Sequence, residues 1–377
     1  MAEIHASTPS TTGEVLDLAL EALPAMLAPS GLCCWEVVDG DSTPRGQSIR
    51  YTLIVLLGLL TARAAGSETS LDVDRLLQAA DARMNEPEVT TGDLGLRLWL
   101  SSRMAGEGNE QVSHALERAL EREHELARLE GLELAWVVLG LACATPRQGP
   151  LSPMLEKAID QLLIGNLAPS GLFFHFGAPG SRRRFPNFAT EIYSILALAS
   201  VAKLQLDDRA APAACRAADL LLDLQHEDGG WPWLFDAERG TVVERYEVYS
   251  VHQHGMAPMA LDALTDLTGD RRYAAAADAG IEWLFGANEL GEHMLLLDRG
   301  FSFRSIRRRR PLDRLWLYSN TAVSWAGGRP LAQESRQRVE VNRTCRPYEL
   351  GWLLEAQYGR RLPTRLRPQA PMAPKQS

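Results

Sequence analysis

A chain of 377 residues with 46% hydrophobic and 23% charged residues has the composition of a soluble globular protein, and is long enough for one large or two ordinary domains. Its net charge of −9 argues against nonspecific nucleic-acid binding. The most apolar run, Leu53–Leu60, falls far short of the roughly 20 residues that a membrane-spanning helix needs.

The opening MAEIHASTPSTTGEV has neither the basic nor the apolar region of a secretory signal, and residues 1–12 are expected to be disordered. Five scattered cysteines (Cys33, Cys34, Cys143, Cys215, Cys345) show no CxxC spacing. That pattern suits reduced thiols in a cytoplasm better than a disulfide framework or a structural zinc site.

From residue 13 to 359 the pattern is that of one helical domain. The hexapeptide Leu-Ala-Pro-Ser-Gly-Leu occurs at Leu27–Leu32 and again at Leu167–Leu172, each time between two apolar helical stretches. Helical periodicity predicts hairpins pairing 12–27 with 48–64, 72–84 with 91–105, and 110–126 with 129–144. Three more pair 152–165 with 186–204, 212–225 with 246–267, and 271–286 with 312–326, before a last helix near 346–358. Strand signals are confined to short pieces such as 295–297 and 241–243.

Within a pair one helix is amphipathic, as in EQVSHALERALEREHELARLE, and its partner is apolar nearly all round, as in GLELAWVVLGLACA. A helix apolar on every side must be buried on every side. Six such pairs predict an all-α fold, an (α/α)6 toroid whose apolar helices form the inner ring. The tail 360–377, with Pro363, Pro368, Pro371 and Pro374 among polar and basic residues, is expected to be disordered.

The densest cluster of aromatic and titratable residues is 225–258, QHEDGGWPWLFDAERGTVVERYEVYSVHQHGMAP. Its Gln225-x-x-x-Gly229-x-Trp231, preceded by Ala217-x-x-Leu220-Leu221, resembles the QW motif of the squalene-cyclase and prenyltransferase toroids. With Pro232 it is also similar to the GGWP loop of α/α-toroid polysaccharide lyases. The resemblance covers about fifteen residues of one repeat, and implies the fold more than any activity.

In a toroid the N-terminal ends of the inner helices converge on a central cleft. The residues there, in chain order, are Trp35, Arg50, Tyr51, Asp93, Glu130, His175, Arg184, Asn187, Glu191 and Tyr193. The later hairpins add Trp231, Trp233, Glu244, Arg245, Tyr246, Glu247, Tyr249, His252, His254, Arg304, Arg314, Tyr318 and Asn320. A histidine beside a tyrosine is a workable proton-transfer pair, so His252, His254 and Tyr249 are catalytic candidates, joined by Glu191 and Glu247 at helix starts. Trp231, Trp233, Tyr246, Arg245, Arg184, Tyr193, Arg304 and Tyr318 are candidates for substrate binding. Pro258 leaves two readings of this segment, either extended up to a helix that starts near Met256, or a longer kinked helix.

Two arginine clusters, Arg182–Arg184 and the run from Arg299 through Arg307, Arg308, Arg309 and Arg310 to Arg314, suggest an anionic ligand in an acidic protein. No HxxxH or HExxH spacing occurs, and neither a metal nor a cofactor is expected.

These features predict an enzyme acting on an anionic, uronic-acid-like saccharide or other small molecule, by lyase, epimerase or hydrolase chemistry. An isoprenoid cyclase is the alternative implied by the resemblance, although the DxDD signature is missing, the nearest string being Asp72-Val73-Asp74-Arg75. A third reading is a non-catalytic toroid that binds an acidic partner.

Overall fold

The structure is a computed structural model and describes residues 12–104, 109–120, 125–145, 151–296, 300–309, 313–328 and 339–362. The expectations for residues 1–11 and 363–377, and for Arg299 and Arg310, lie outside these residues. Helix α1 (Thr12–Ala22) leads through a 3-10 turn to strands β1 (Glu36–Val38) and β2 (Asp41–Arg45). Next come α2 (Ile49–Ala64), α3 (Val73–Asp81), α4 (Thr91–Ser101), α5 (Asn109–Leu120), the short α6 (Glu125–Arg128), α7 (Gly131–Ala144), α8 (Pro153–Asp160) and α9 (Phe188–Lys203). The chain continues through α10 (Ala210–Leu224), β3 (Leu234–Asp236), β4 (Thr241–Glu244), β5 (Val248–Tyr249), α11 (Ala257–Thr268) and α12 (Arg271–Leu284). It ends with β6 (Leu295–Leu296), β7 (Phe301–Ser302), β8 (Ser305–Arg308), α13 (Asp313–Trp325), β9 (Val339–Asn342), β10 (Thr344–Cys345) and α14 (Pro347–Arg361).

The fold is an (α/α)6 toroid. Helices α2, α4, α7, α9, α11 and α14 pack in that order and α14 returns to α2, closing the inner ring. α2, α7 and α9 are buried around most of their circumference, as their predominantly apolar sequences require. Each of α3, α5, α8, α10 and α12 lies outside, against the inner helix that precedes it, while α1 lies against α14. Among the described residues no helix is long and apolar enough to cross a membrane.

One hairpin departs from the expected pairing. The inner helix that follows α12 is α14, and 313–325 forms α13, which packs against β4 instead of joining the ring. Trp352, Leu354 and Tyr358 of α14 are fully buried, whereas α13 exposes Tyr318 and Trp325. α14 also continues through Arg361, with Arg360 paired to Asp262 at 2.6 Å and Asp278 at 2.9 Å, so order extends past residue 359.

The two Leu-Ala-Pro-Ser-Gly-Leu copies make the same turn. Ala28 N–H donates to Leu32 at 2.8 Å and Ala168 N–H to Leu172 at 2.8 Å, with Gly31 and Gly171 at φ of 84° and 108°. Each turn is then tied to the fourth residue of the following inner helix: Cys33 N–H donates to Thr52 Oγ1 at 2.9 Å, and Phe173 N–H to the Glu191 carboxylate at 3.0 Å.

Strand content exceeds the expectation. Beyond 295–296 and 241–244, short strands form β10-β1-β2 and β5-β8-β9 sheets in the loops at the N-terminal ends of the inner helices. β1 pairs with β10 (Val37 opposite Cys345), so strands from both ends of the chain meet just ahead of α2 and α14.

Candidate active site

The segment from β5 into α11 resolves the two readings of Pro258 into a mixture of both. Val248 and Tyr249 are extended in β5, the helix starts at Ser250, and a π turn spans His252–Met256 before α11 proper. Pro258 has no N–H and leaves the carbonyl of His254, four residues earlier, without its helical donor. Gln357 Nε2 of α14 donates to that carbonyl at 2.9 Å. The π turn thereby widens the helix where His252 projects.

His252 lines a central cavity of about 220 Å³. Around it stand Tyr51, Trp136, Tyr193, Trp233, Tyr249, Tyr348 and Trp352, together with Arg50, Arg304, Arg346 and Asn187. No aspartate or glutamate is part of this lining among the described residues. The Trp233 indole lies parallel to the imidazole, at an interplanar angle of 9° with centroids 6.0 Å apart, and the Tyr249 ring is 5.1 Å away. His252 Nδ1 is buried without a hydrogen-bond partner. Burial, followed by the charge of Arg304 and the neighbouring His254, pushes the His252 pKa down to about 3, so the ring is neutral at ordinary pH. Burial, reinforced by Glu247, pushes the Tyr249 hydroxyl up to about 12 and keeps it protonated.

The three arginines differ in what holds them. Arg50 is paired with Asp93 at 2.6 Å and Glu133 at 2.7 Å, so its charge is answered twice. Arg304 lies over the Tyr249 ring at 4.8 Å and donates to Glu349 at 3.1 Å. Arg346 donates to the Tyr51 hydroxyl at 2.8 Å and reaches Glu36 only at 3.9 Å. Arg346, with a carboxylate only at 3.9 Å, and Arg304, with a single one at 3.1 Å, are therefore less fully answered than Arg50.

Eight of the sequence candidates, Arg50, Tyr51, Asn187, Tyr193, Trp233, Tyr249, His252 and Arg304, meet in this cavity. The others do not line it. His254 is buried, its Nε2 3.5 Å from Ser302 Oγ. Glu191 was expected to point inward from its helix start, but it is fully buried against the Phe173 N–H, where burial raises its pKa well above the carboxylate range. Glu247 accepts from Ser305 Oγ at 2.7 Å. Trp231 packs in the core on Phe188 at 5.4 Å.

Arg245 is paired with Asp228 and lies over Tyr246, whose other cation neighbour is Arg308. Arg184 makes a two-point pair with Asp236 and a third contact to Glu238. Tyr318 is exposed on α13. The arginine clusters are thus largely spent internally, Arg307 and Arg309 on Glu340 and Arg308 on Glu244.

Trp136, Arg346, Tyr348, Glu349 and Trp352 were not among the sequence candidates. A signal for the α14 residues was present: Arg346-Pro347-Tyr348 repeats the Arg-aromatic start seen at Arg50-Tyr51, with proline in the first helical turn. Among the described residues no cluster of three or more histidine, cysteine, aspartate or glutamate side chains has a metal-holding arrangement.

No family model matches the sequence, and comparison with curated proteins yields no match. Solved structures of similar shape include the unsaturated glucuronyl hydrolase of Bacillus sp. GL1, with a TM-score of 0.62, 14% identity, and coverage of 96% of this chain and 98% of that one. A sugar epimerase from a ruminal bacterium has a TM-score of 0.60 at 10% identity, covering 93% of this chain and 99% of that chain. The cellobiose 2-epimerase of Bacillus thermoamylovorans has 0.59 at 11%, covering 93% and 100%. At such identities the likeness establishes the toroid fold.

Proposed function

We propose that the chain is a carbohydrate-active enzyme that binds an anionic, uronic-acid-like sugar in the central cavity and moves a proton with His252. The observation that carries this reading is a neutral histidine packed beside Trp233 and Tyr249, with Arg304 against the same tyrosine, in a cavity whose lining has no carboxylate among the described residues. Aromatic rings suit the faces of a sugar, and Arg304 with Arg346 suits its carboxylate. Neutralising that carboxylate acidifies the adjacent C5–H. His252 takes the C5 proton, and Tyr249, protonated at ordinary pH, stands beside it as a donor. Return of a proton to C5 gives epimerisation; loss of the substituent at C4 gives an unsaturated product. The epimerases and the glucuronyl hydrolase of the same fold act on sugars, in keeping with this reading.

Hydrolysis by paired carboxylates is the weaker branch, because that chemistry needs two carboxyl groups flanking the bond. The isoprenoid reading loses ground to three guanidinium groups and an imidazole in the lining.

The test is C5 deuterium incorporation from D2O into uronic-acid saccharides, followed by NMR, with the ultraviolet absorbance of an unsaturated product as the second readout. His252→Ala is expected to lose about 100-fold or more of the exchange rate, the usual contribution of a general base. A variant that exchanges at the wild-type rate overturns the assignment.

A further inference from the structure

A second compartment opens beside the central cavity. It is a groove of about 290 Å³ that shares Arg50 and Tyr51 with the cavity as a common wall. Its own lining includes Trp35, Gln47, Glu86 and Glu88. Trp35 is one of the few large hydrophobic side chains left exposed, at 44%. It is nevertheless held in place: its backbone N–H donates to the Arg45 carbonyl at 2.7 Å, its ring stacks on Tyr51 at 4.9 Å, and the Arg346 guanidinium lies over the ring at 4.6 Å. An exposed indole fixed from several sides is a platform, since little side-chain freedom remains to be lost when a ligand covers it.

The two compartments differ in charge. Among the described residues the cavity is lined by Arg346 and by Arg304, which is bonded to Glu349, and by no carboxylate. The groove instead presents Glu88 and Glu86, the latter paired with Arg83 at 3.1 Å, and the Arg50 on the shared wall is already answered by Asp93 and Glu133. A second anionic unit would meet repulsion in the groove. A neutral sugar would find an aromatic surface, two carboxylates to accept from its hydroxyls, and the Gln47 amide to do either.

We propose that the groove is a second sugar subsite, and that the ligand is a saccharide of at least two units, an anionic one in the central cavity joined to a neutral pyranose held by Trp35, Gln47 and Glu88. This rests on the saccharide reading of the cavity. It makes Trp35 and Glu88 determinants of chain length rather than of chemistry.

The experiment compares two probes by calorimetry on the full chain: glucuronate, and an aldobiouronic acid in which glucuronate is joined to a neutral hexose. The disaccharide is expected to bind roughly tenfold more tightly, the order of one aromatic contact. Trp35→Ala is expected to bring the ratio of the two affinities close to one. Glu88→Ala, on the exposed rim, is expected to lower that ratio severalfold while glucuronate binds as before. Equal affinities in the wild-type protein, or a ratio unchanged in both variants, overturn the subsite and leave the cavity reading standing. If neither probe binds the wild-type protein, the cavity reading falls and the subsite with it.

Discussion

Glu349 is the residue whose protonation most directly reaches the cavity. It is fully buried at the start of α14, accepts from the Arg346 N–H at 3.2 Å, and receives Arg304 Nη1 at 3.1 Å. Burial raises its pKa to about 7, against the pull of Arg304 and Arg346. Above that value the carboxylate answers the charge of Arg304. As pH falls through it, the carboxyl becomes neutral and the cavity gains one net positive charge. Affinity for an anion such as glucuronate should therefore be greater at pH 6 than at pH 8, with Glu349→Gln removing most of the difference. Calorimetry at the two pH values checks this. A variant that keeps the full pH dependence would place the titrating group elsewhere. His252 cannot be that group, since its value near 3 leaves it neutral at both pH values.

At the scale of helices, two close crossings in the inner ring rest on glycine. A Cβ on Gly58 would collide with the Gly351 carbonyl, joining α2 to α14, and one on Gly140 would collide with the Gly95 carbonyl, joining α7 to α4. Backbone cannot yield as a side-chain tip can, so Gly58→Ala is expected to cost about 1–3 kcal/mol, the usual penalty of overpacking. Gly180, with open space where its Cβ would sit, is the control: Gly180→Ala should leave the urea midpoint unchanged. Equal midpoints for Gly58→Ala and wild type would contradict the crossing.

The predominantly apolar sequences of α2, α7 and α9 mark them in the sequence as inner helices, because such helices must be packed on every side. Six pairs of unequal length favour a closed ring over an open helical solenoid. α14 was harder to read. It carries Glu349, Glu355 and Gln357 among its apolar residues, and each is buried only because a partner on another element satisfies it. A sequence shows the polar residue and not the partner. The same reason hid the fate of Glu191, bonded to a loop N–H, and of Arg184, bonded to Asp236. Three of the legible pocket residues, Trp233, Tyr249 and His252, lie close together in the chain, and Arg50, Tyr51, Asn187 and Tyr193 stand at the starts of inner helices, whereas Arg346 and Tyr348 join them only through closure of the ring.

Closure has its own fastening at the end of α14. Glu355, fully buried, is paired with Arg103 at 2.6 Å and accepts from Thr61 Oγ1, so a single carboxylate ties α14 to the chain just beyond α4 and to α2. Arg103 in turn lies over Trp99 at 4.9 Å, and Trp99 meets Trp352 of α14 at 5.8 Å. An open array of hairpins could fray from either end, each pair leaning only on its neighbours. A ring in which the last inner helix packs on the first has no free end, and its hairpins should unfold together. Arg103→Met would leave the Glu355 charge buried without its partner, at a cost of roughly 3–5 kcal/mol. Because the loss falls on closure, it should move the transitions seen by tryptophan fluorescence and by far-ultraviolet circular dichroism by the same amount in urea. If the two transitions separate in the variant, or already differ in the wild-type protein, the hairpins are not bound into one cooperative unit.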